Sequence, residues 1–282
     1  MSYDNLISKD ASVDEVLALE PNHTIRNIVI GIFVLVALIW SMSAVDLKGV
    51  NEDGARIISM IVNGILHPNL EWLFQLDPSK TSVPWKMIET ISIAFLGTII
   101  GSVLAIPFAF FSSRNIVRGW SYLGIIAITM VRTFPVFILG LMFIKVTGPG
   151  AFAGVLTIGV SSVGMITKLY IEAIEDIDRG ILDALDSAGC TAIQKIRYGI
   201  IPQLSADFIS TAIYRFEINV RNATVLGLVG AGGIGMILIP AMAAGTVVRW
   251  KDAGAALYGI VVIVLIIEFV STTIRKKLAR GE

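Results

Sequence analysis

Two groups of residues in this chain could do chemistry. In "VGAGGIG", residues 229–235, Gly230, Gly232 and Gly235 stand in the G-x-G-x-x-G spacing that cradles a pyrophosphate in dinucleotide-binding folds. Asp252 follows at about the 20-residue distance expected of a ribose-binding acid. The second group is Arg132, Arg215, Glu217 and Arg221, all inside long apolar stretches, where an ionisable group is expensive and points to function. Further chemistry is scarce. Two histidines, His23 and His67, and one cysteine, Cys190, supply neither a metal-ligand cluster nor a nucleophile–base set, and they exclude an intramolecular disulfide framework. No metal or cofactor is expected.

The context decides what the glycines mean. The chain has 282 residues, 55% of them hydrophobic and only 16% charged, with a mean hydropathy of +0.79. A soluble domain carries about a quarter charged residues, so the expected class is a membrane protein. Lys+Arg and Asp+Glu both total 22, so net charge gives no sign of a nucleic-acid partner.

Six stretches are long and apolar enough to cross the hydrocarbon as helices: 25–45, 87–111, 120–146, 150–171, 204–228 and 254–274. The expected fold is therefore all-α, one polytopic membrane domain of six transmembrane helices. Residues 1–24 form a polar tail without a basic n-region, which argues for an uncleaved first span rather than a signal peptide. The cluster Arg275, Lys276, Lys277 and Arg280 places the tail 275–282 in the cytoplasm, and six spans then put the N-terminus there too. Lys48, Arg56 and Lys80 in the loop 46–86 run against this bias. Within that extracytoplasmic loop, Ile57, Ile58, Ile61 and Ile65 suggest a helix that either lies in the interface plane or packs as a small subdomain.

The residues before Gly230 form a run of about 25 that belongs to a membrane span, not the short buried strand that a dinucleotide site requires. The glycines are expected to let backbones approach closely, or to let the chain bend where the span ends.

Glu217 and Arg221 are four apart, with the acid first, the favourable order for a same-face pair. Arg215 shares another side with Asn219 and Asn222, and Arg132 stands three residues before Pro135, which should kink its span. Guanidinium forks match tetrahedral oxyanions. Arg132, Arg215, Asn219 and Asn222 are thus candidates for a substrate path, with helix-to-helix anchoring as the alternative. Lys168 and Glu172, also four apart, suggest a boundary anchor or gate.

The loop 172–203 reads as two short helices around Gly189. In the first, Ile181, Leu182 and Leu185 share an apolar side while Asp178, Asp183 and Asp186 face water. The second opens at Thr191 with Gln194 three residues on, a capping box, and continues with Ile193 and Ile196 beneath Lys195 and Arg197. Pro202 is expected to close the unit before the next span.

This segment resembles the EAA loop of ATP-binding cassette importer permeases. Asp183, Ala184 and Leu185 occupy its opening, Gly189 its glycine, and Ile201-Pro202 its close. Asp replaces Glu, Leu185 replaces the second Ala, and Gly199 stands where Ile is expected. "YRFEINVRNATVLGLVGAGGIG", "KLYIEAIEDID" and "RYGIIPQ" look like the phosphonate-type subfamily, and the resemblance covers roughly 85–275. It implies that Asp183, Ala184, Leu185, Asp186, Ser187, Ala188, Gly189 and Cys190 contact a separate ATPase. It further implies a permease homodimer, two ATPase subunits, an extracytoplasmic substrate-binding protein, and a phosphonate or related phosphorus oxyanion as cargo. The layout would be a tail 1–24, a first helix 25–45, the loop 46–86, a permease core 87–274 with its coupling loop 172–203, and the tail 275–282. The chain has no G-x-x-x-x-G-K-[ST] loop, so the ATP chemistry must come from the partner. An ion-driven secondary transporter would tolerate the intramembrane charges but gives the EAA-like loop no role.

Overall fold

The computed structural model describes residues 23–44, 54–76, 81–243 and 247–280. Most of the expected N-terminal tail, together with Lys48, Pro78 and Lys80, lies outside the described residues. The chain falls into two units, residues 1–55 and 56–282. The first contributes α1, Thr24–Ala44, apolar beyond Arg26 and Asn27 in its first turn except for Ser41 and Ser43 near its end.

The described part of the second unit is helical, without a strand among the described residues. After α2 (Gly54–Leu66), most of which lies in this unit, come α3 (Leu70–Phe74), α4 (Val83–Ser112) and a short α5 (Arg114–Val117). Then follow α6 (Ser121–Thr133), α7 (Val136–Thr147), α8 (Ala151–Glu175), α9 (Arg179–Ser187) and α10 (Ala192–Lys195). A π-turn, Ile196–Ile200, leads into α11 (Ile201–Gly227), followed by α12 (Gly235–Ala243) and α13 (Val247–Arg280).

The expected count of six spans holds only roughly. Among the described residues, α1, α4, α8 and α13 are long and apolar enough to cross a membrane, and a fifth crossing appears if α6 and α7 count as one. The run 120–146 is not a continuous helix. It breaks at Phe134-Pro135, where the two halves meet at 83°. Pro135 has no N–H for the ladder and holds the preceding Phe134 in an extended conformation (ψ 121°). The expected span 204–228 is α11. At 27 residues it has the length, about 40 Å, but Asp207, Arg215, Glu217, Asn219, Arg221 and Asn222 make it too polar to qualify by composition. It is tolerated because α4, α8 and α13 surround it.

The tightest pairing is α4 on α8. Gly97 and Gly101 form a G-x-x-x-G stripe on α4: a Cβ on Gly97 would stand 2.7 Å from Ile158 Cγ2, and one on Gly101 2.5 Å from Ser162 Cβ. Only glycine permits this approach, the usual way helices gain dispersion contacts where lipid offers no hydrophobic drive.

At the far end of α11 the glycine run bends the chain, as the sequence suggested. Gly230, Gly232 and Gly233 take φ of 98°, 86° and 76°, and the chain turns back into α12. Protein groups hold the run: Gly233 N–H donates to Glu89 Oε1 (3.1 Å) and Ile234 N–H to Thr90 Oγ1 (2.9 Å). Asp252, the would-be ribose acid, accepts from Asn69 Nδ2 at 2.8 Å. The α2–α3 segment packs as a subdomain on the start of α13, with Gly64 against the Trp250 backbone. Ile57, Ile58, Ile61 and Ile65 lie on one side of α2, within about 100° of arc; Ile57 and Ile61 turn partly inward, whereas Ile58 and Ile65 are exposed.

Candidate functional site

Two constellations stand on α11, one at each end of a continuous helical path. The first is the knob that precedes it. Asp178 caps α9, its Oδ1 accepting from Gly180 N–H at 2.9 Å. Ile181, Leu182 and Leu185 turn inward, and Asp183, Ala184, Asp186, Ser187 and Ala188 are exposed. Gly189, also exposed, adopts φ 72°. That left-handed residue lets its own N–H reach Asp186 C=O (2.9 Å) and the Cys190 N–H reach Leu185 C=O (3.0 Å), closing the helix with satisfied carbonyls. Cys190 is half-buried.

The capping box is present: Thr191 N–H donates to Gln194 Oε1 at 2.8 Å. Lys195 pairs with Asp186 at 2.5 Å, tying α10 to α9. Two expectations fail here. Ile193 is not beneath Lys195 and Arg197 but 77% exposed. Pro202 does not close the unit; it lies in the first turn of α11, exposed, and the Ile196–Ile200 π-turn joins α10 to α11 without a break. Widening the ladder there, with Ile201 N–H on Ile196 C=O, is how the helix accommodates a proline two residues in. The knob is therefore joined to α11 without a break in the helical path.

Under the knob, the connection between α4 and α6 is clamped to the end of α8. Arg114 N–H donates to Glu175 Oε1 (2.8 Å), and Asn115 Nδ2 to the carbonyls of Ile174 and Glu175. A cavity of about 320 Å³ separates this clamp from the knob, lined by Arg114, Asn115, Asp183, Asp186 and Lys195 among others.

The second constellation lies about 20 Å further along α11. Arg215 is buried, 6% exposed, and its Nε has no hydrogen-bond partner among the described residues. Arg132 is exposed, lies against Gly164 and donates from Nε to Met165 Sδ at 3.2 Å. Among the described residues neither arginine has an acid within ion-pair distance.

Asn219, wholly buried, donates from Nδ2 to Thr98 Oγ1 (2.8 Å) and Ser162 Oγ (2.7 Å), joining α11 to α4 and α8. Half-buried Asn222 reaches Asn219 Oδ1 only at 3.5 Å. Glu217 and Arg221 pair at 3.1 Å, and the pair belongs to a larger network. Glu217 also meets Arg275 (3.3 Å), and Arg221 meets Glu268 (3.2 Å), both from α13. Sequence reasoning assigned Arg275 to the tail and gave Glu268 no partner; nothing in their spacing signals a bond to residues 58 and 47 positions away. Lys168 and Glu172 pair at 3.0 Å on the surface of α8.

An exposed helical knob thus runs on into a polar helix that packs against the long apolar helices α4, α8 and α13. Residues 81–281 match the family described as binding-protein-dependent transport system inner membrane component. The chain belongs to this family. It is accordingly a multi-pass inner-membrane subunit of an ATP-binding cassette importer, a permease rather than an enzyme in itself.

Among its relatives, the permease is 34% identical to the phosphite transport system permease protein PtxC of Stutzerimonas stutzeri, over 67% of this chain and 69% of that one. It is 31% identical to the phosphate-import permease protein PhnE of Mycolicibacterium smegmatis, over 67% of this chain but only 35% of that longer relative. In fold it is similar to the inward-facing MetNI methionine ABC transporter, with a TM-score of 0.64 at 20% identity, covering 72% of this chain and 99% of that one.

Proposed function

We propose that this permease subunit forms, as a homodimer, the pore of an importer for a phosphorus oxyanion: phosphonate, phosphite or phosphate. Two copies of a separate ATPase would seat on the exposed face Asp183–Cys190, and an extracytoplasmic binding protein would deliver the anion. In this reading both termini and the knob lie in the cytoplasm.

The observation that carries the reading is the buried Arg215, its Nε unpartnered, with Arg132 as a second arginine that has no acid partner among the described residues. Arg215 is buried at membrane depth, and neither it nor Arg132 has an acid partner among the described residues, an unfavourable arrangement that an oxyanion relieves. A charged arginine at the centre of a membrane helix costs about 2.5–3.5 kcal/mol on insertion scales, a cost without benefit unless the charge has work to do. The names of the relatives, phosphite and phosphate carriers, support the same class of cargo.

The proposed mechanism follows from the connectivity. Closure of the ATPases draws the two knobs together. Because α9, α10, the π-turn and α11 are continuous or pinned by the Lys195–Asp186 pair, that motion travels along α11 to Arg215 and shifts it relative to Arg132. A changed spacing between the arginines changes their hold on the anion, which is what alternating access requires.

The test is uptake by the assembled transporter in proteoliposomes. ATP-dependent uptake of phosphite, phosphonate or phosphate, with no uptake of methionine, is the expected result. Uptake driven by an ion gradient without ATP, or of methionine alone, would overturn it.

A further inference from the structure

Hydrogen bonds fix the depth of the charged network. Asn219 donates to Thr98 and Ser162, which stand at the middles of α4 and α8. Arg221 is two residues beyond Asn219, about 3 Å along the axis, so it lies close to the bilayer midplane. Its side chain is nonetheless 43% exposed, and that of its partner Glu268 is 52% exposed. The exposure is confined: between residues 212 and 227, only Tyr214, Arg221 and Val225 of α11 are exposed. Spaced seven and four apart, they form one stripe along the helix.

An ion pair half open at the midplane cannot face hydrocarbon. Long cations near helix ends can snorkel to the interface, but the Arg221 guanidinium is held at this depth by Glu217 and Glu268. Covering the stripe with protein would bury the pair and add a desolvation penalty. Water on the stripe avoids both costs. Arg215, six residues nearer the knob, is 6% exposed and lies off the stripe, so an anion entering from the far end of α11 meets Arg221 before the Arg215 site.

We propose that Tyr214, Arg221 and Val225, with Glu268 opposite, line the aqueous translocation path, and that Glu268 is the counter-ion which the entering anion displaces from Arg221. The identity of the anion rests on the oxyanion reading above; the water-lined stripe does not. Arg221 suits the task because Glu217 remains bound to it when Glu268 swings away, leaving a partly neutralised guanidinium that holds an oxyanion weakly. Competition from Glu268 then speeds release. Glu268 would act as a positioning residue for Arg221.

The experiment uses the assembled transporter carrying Val225→Cys, an uncharged position 50% exposed and one turn from Arg221. Val103→Cys, 61% exposed and lining an apolar groove between α4 and α11, is the comparison position without charged neighbours. Both variants are treated with a membrane-impermeant anionic methanethiosulfonate reagent, and peptide mass mapping separates the product from any on Cys190. The expected result is reaction in Val225→Cys at least tenfold faster than in Val103→Cys, slowed by saturating phosphite, phosphonate or phosphate, and faster again when Glu268→Gln is added. Reaction no faster than in Val103→Cys, in resting and ATP-bound states alike, overturns the proposal. So does oxidative cross-linking between two copies through the thiol introduced by Val225→Cys, or reaction that none of the three anions slows. ATP-dependent uptake is measured on the same variant, so a failure of the importer reading would register separately from a dry stripe.

Discussion

Leu185 of α9 fills the space that a side chain on Gly199 would need: a Cβ built there would stand 2.5 Å from Leu185 Cδ1. These are two of the three positions at which the loop departs from the EAA pattern, and in this fold they compensate each other. A larger residue in the knob is matched by a smaller one in the π-turn beneath it. Gly199→Ile alone should overpack the joint, at a cost of about 1–3 kcal/mol, and reduce co-purification of the ATPase severalfold. Gly199→Ile with Leu185→Ala should recover most of both. A double-mutant cycle on ATPase retention checks this, with an interaction energy of about 0.5–3 kcal/mol expected; additivity would mean the two positions do not communicate.

Gly189 tests the shape of the knob separately from its packing. At φ 72°, a β-branched side chain is strained by about 1–2 kcal/mol, and the closure through the Asp186 and Leu185 carbonyls loosens. Gly189→Val should lower ATPase pull-down and uptake together while the protein still reaches the membrane. Gly189→Asn, which tolerates the left-handed region, should keep most of both. Equal loss in the two variants would point to a side-chain clash with the ATPase rather than to backbone shape.

Arg215 and Asn219 are neighbours on one side of α11, yet their surroundings predict opposite behaviour. The Asn219 amide already serves Thr98 and Ser162. Asn219→Leu should therefore lower thermal stability in detergent, at about 0.6 kcal/mol per interhelical bond lost and at most about 1.7, with uptake per folded molecule little changed. Arg215 has no acid partner among the described residues, so Arg215→Gln removes an uncompensated charge. It should leave stability equal or higher while cutting oxyanion uptake at least tenfold, with Arg215→Lys intermediate. Paired melting and uptake measurements on the three variants decide the matter; a large stability loss in Arg215→Gln would make it an anchor instead.

How much of this was legible in the sequence follows from the range of the forces involved. Apolar runs placed α1, α4 and α8 to within a few residues, because a helix crossing lipid must satisfy its own backbone and nothing distant alters that. The Gly189 turn and the Thr191–Gln194 box are likewise local, and both could be read. The 83° break at Phe134-Pro135 was foreseen only as a kink, since the angle depends on what each half packs against. The nine-residue α12 has no separate signal in the sequence, where the glycines before it mark only the bend at the end of a span. Ile193 looked like a core residue by periodicity, but α10 is one turn long and presents it outward. The partners of Asn219, 121 and 57 residues away, follow only from the G-x-x-x-G approach that brings α4 onto α8.

The inner half of the charge network makes the last prediction. Glu217, its side chain only 9% exposed, accepts from both Arg221 and Arg275, and Arg275 also lies over the Tyr214 ring at 5.4 Å. Glu217 thus joins α11 to the far end of α13. Glu217→Gln leaves two guanidinium groups facing a neutral amide. Removing one partner of a fully buried pair costs about 3–5 kcal/mol; because the Arg275 side chain is 30% exposed, the loss should fall at or below the lower end of that range. Arg275→Gln should cost less than Glu217→Gln, since Glu217 keeps Arg221. The exchange Glu217→Arg with Arg275→Glu should recover part of the stability lost by Glu217→Arg alone, although the reversed pair now places the new arginine beside Arg221. Thermal unfolding of the four variants in one detergent provides the comparison. If Arg275→Gln proves as damaging as Glu217→Gln, the α13 contact rather than the i,i+4 pair with Arg221 is what holds α11 in place.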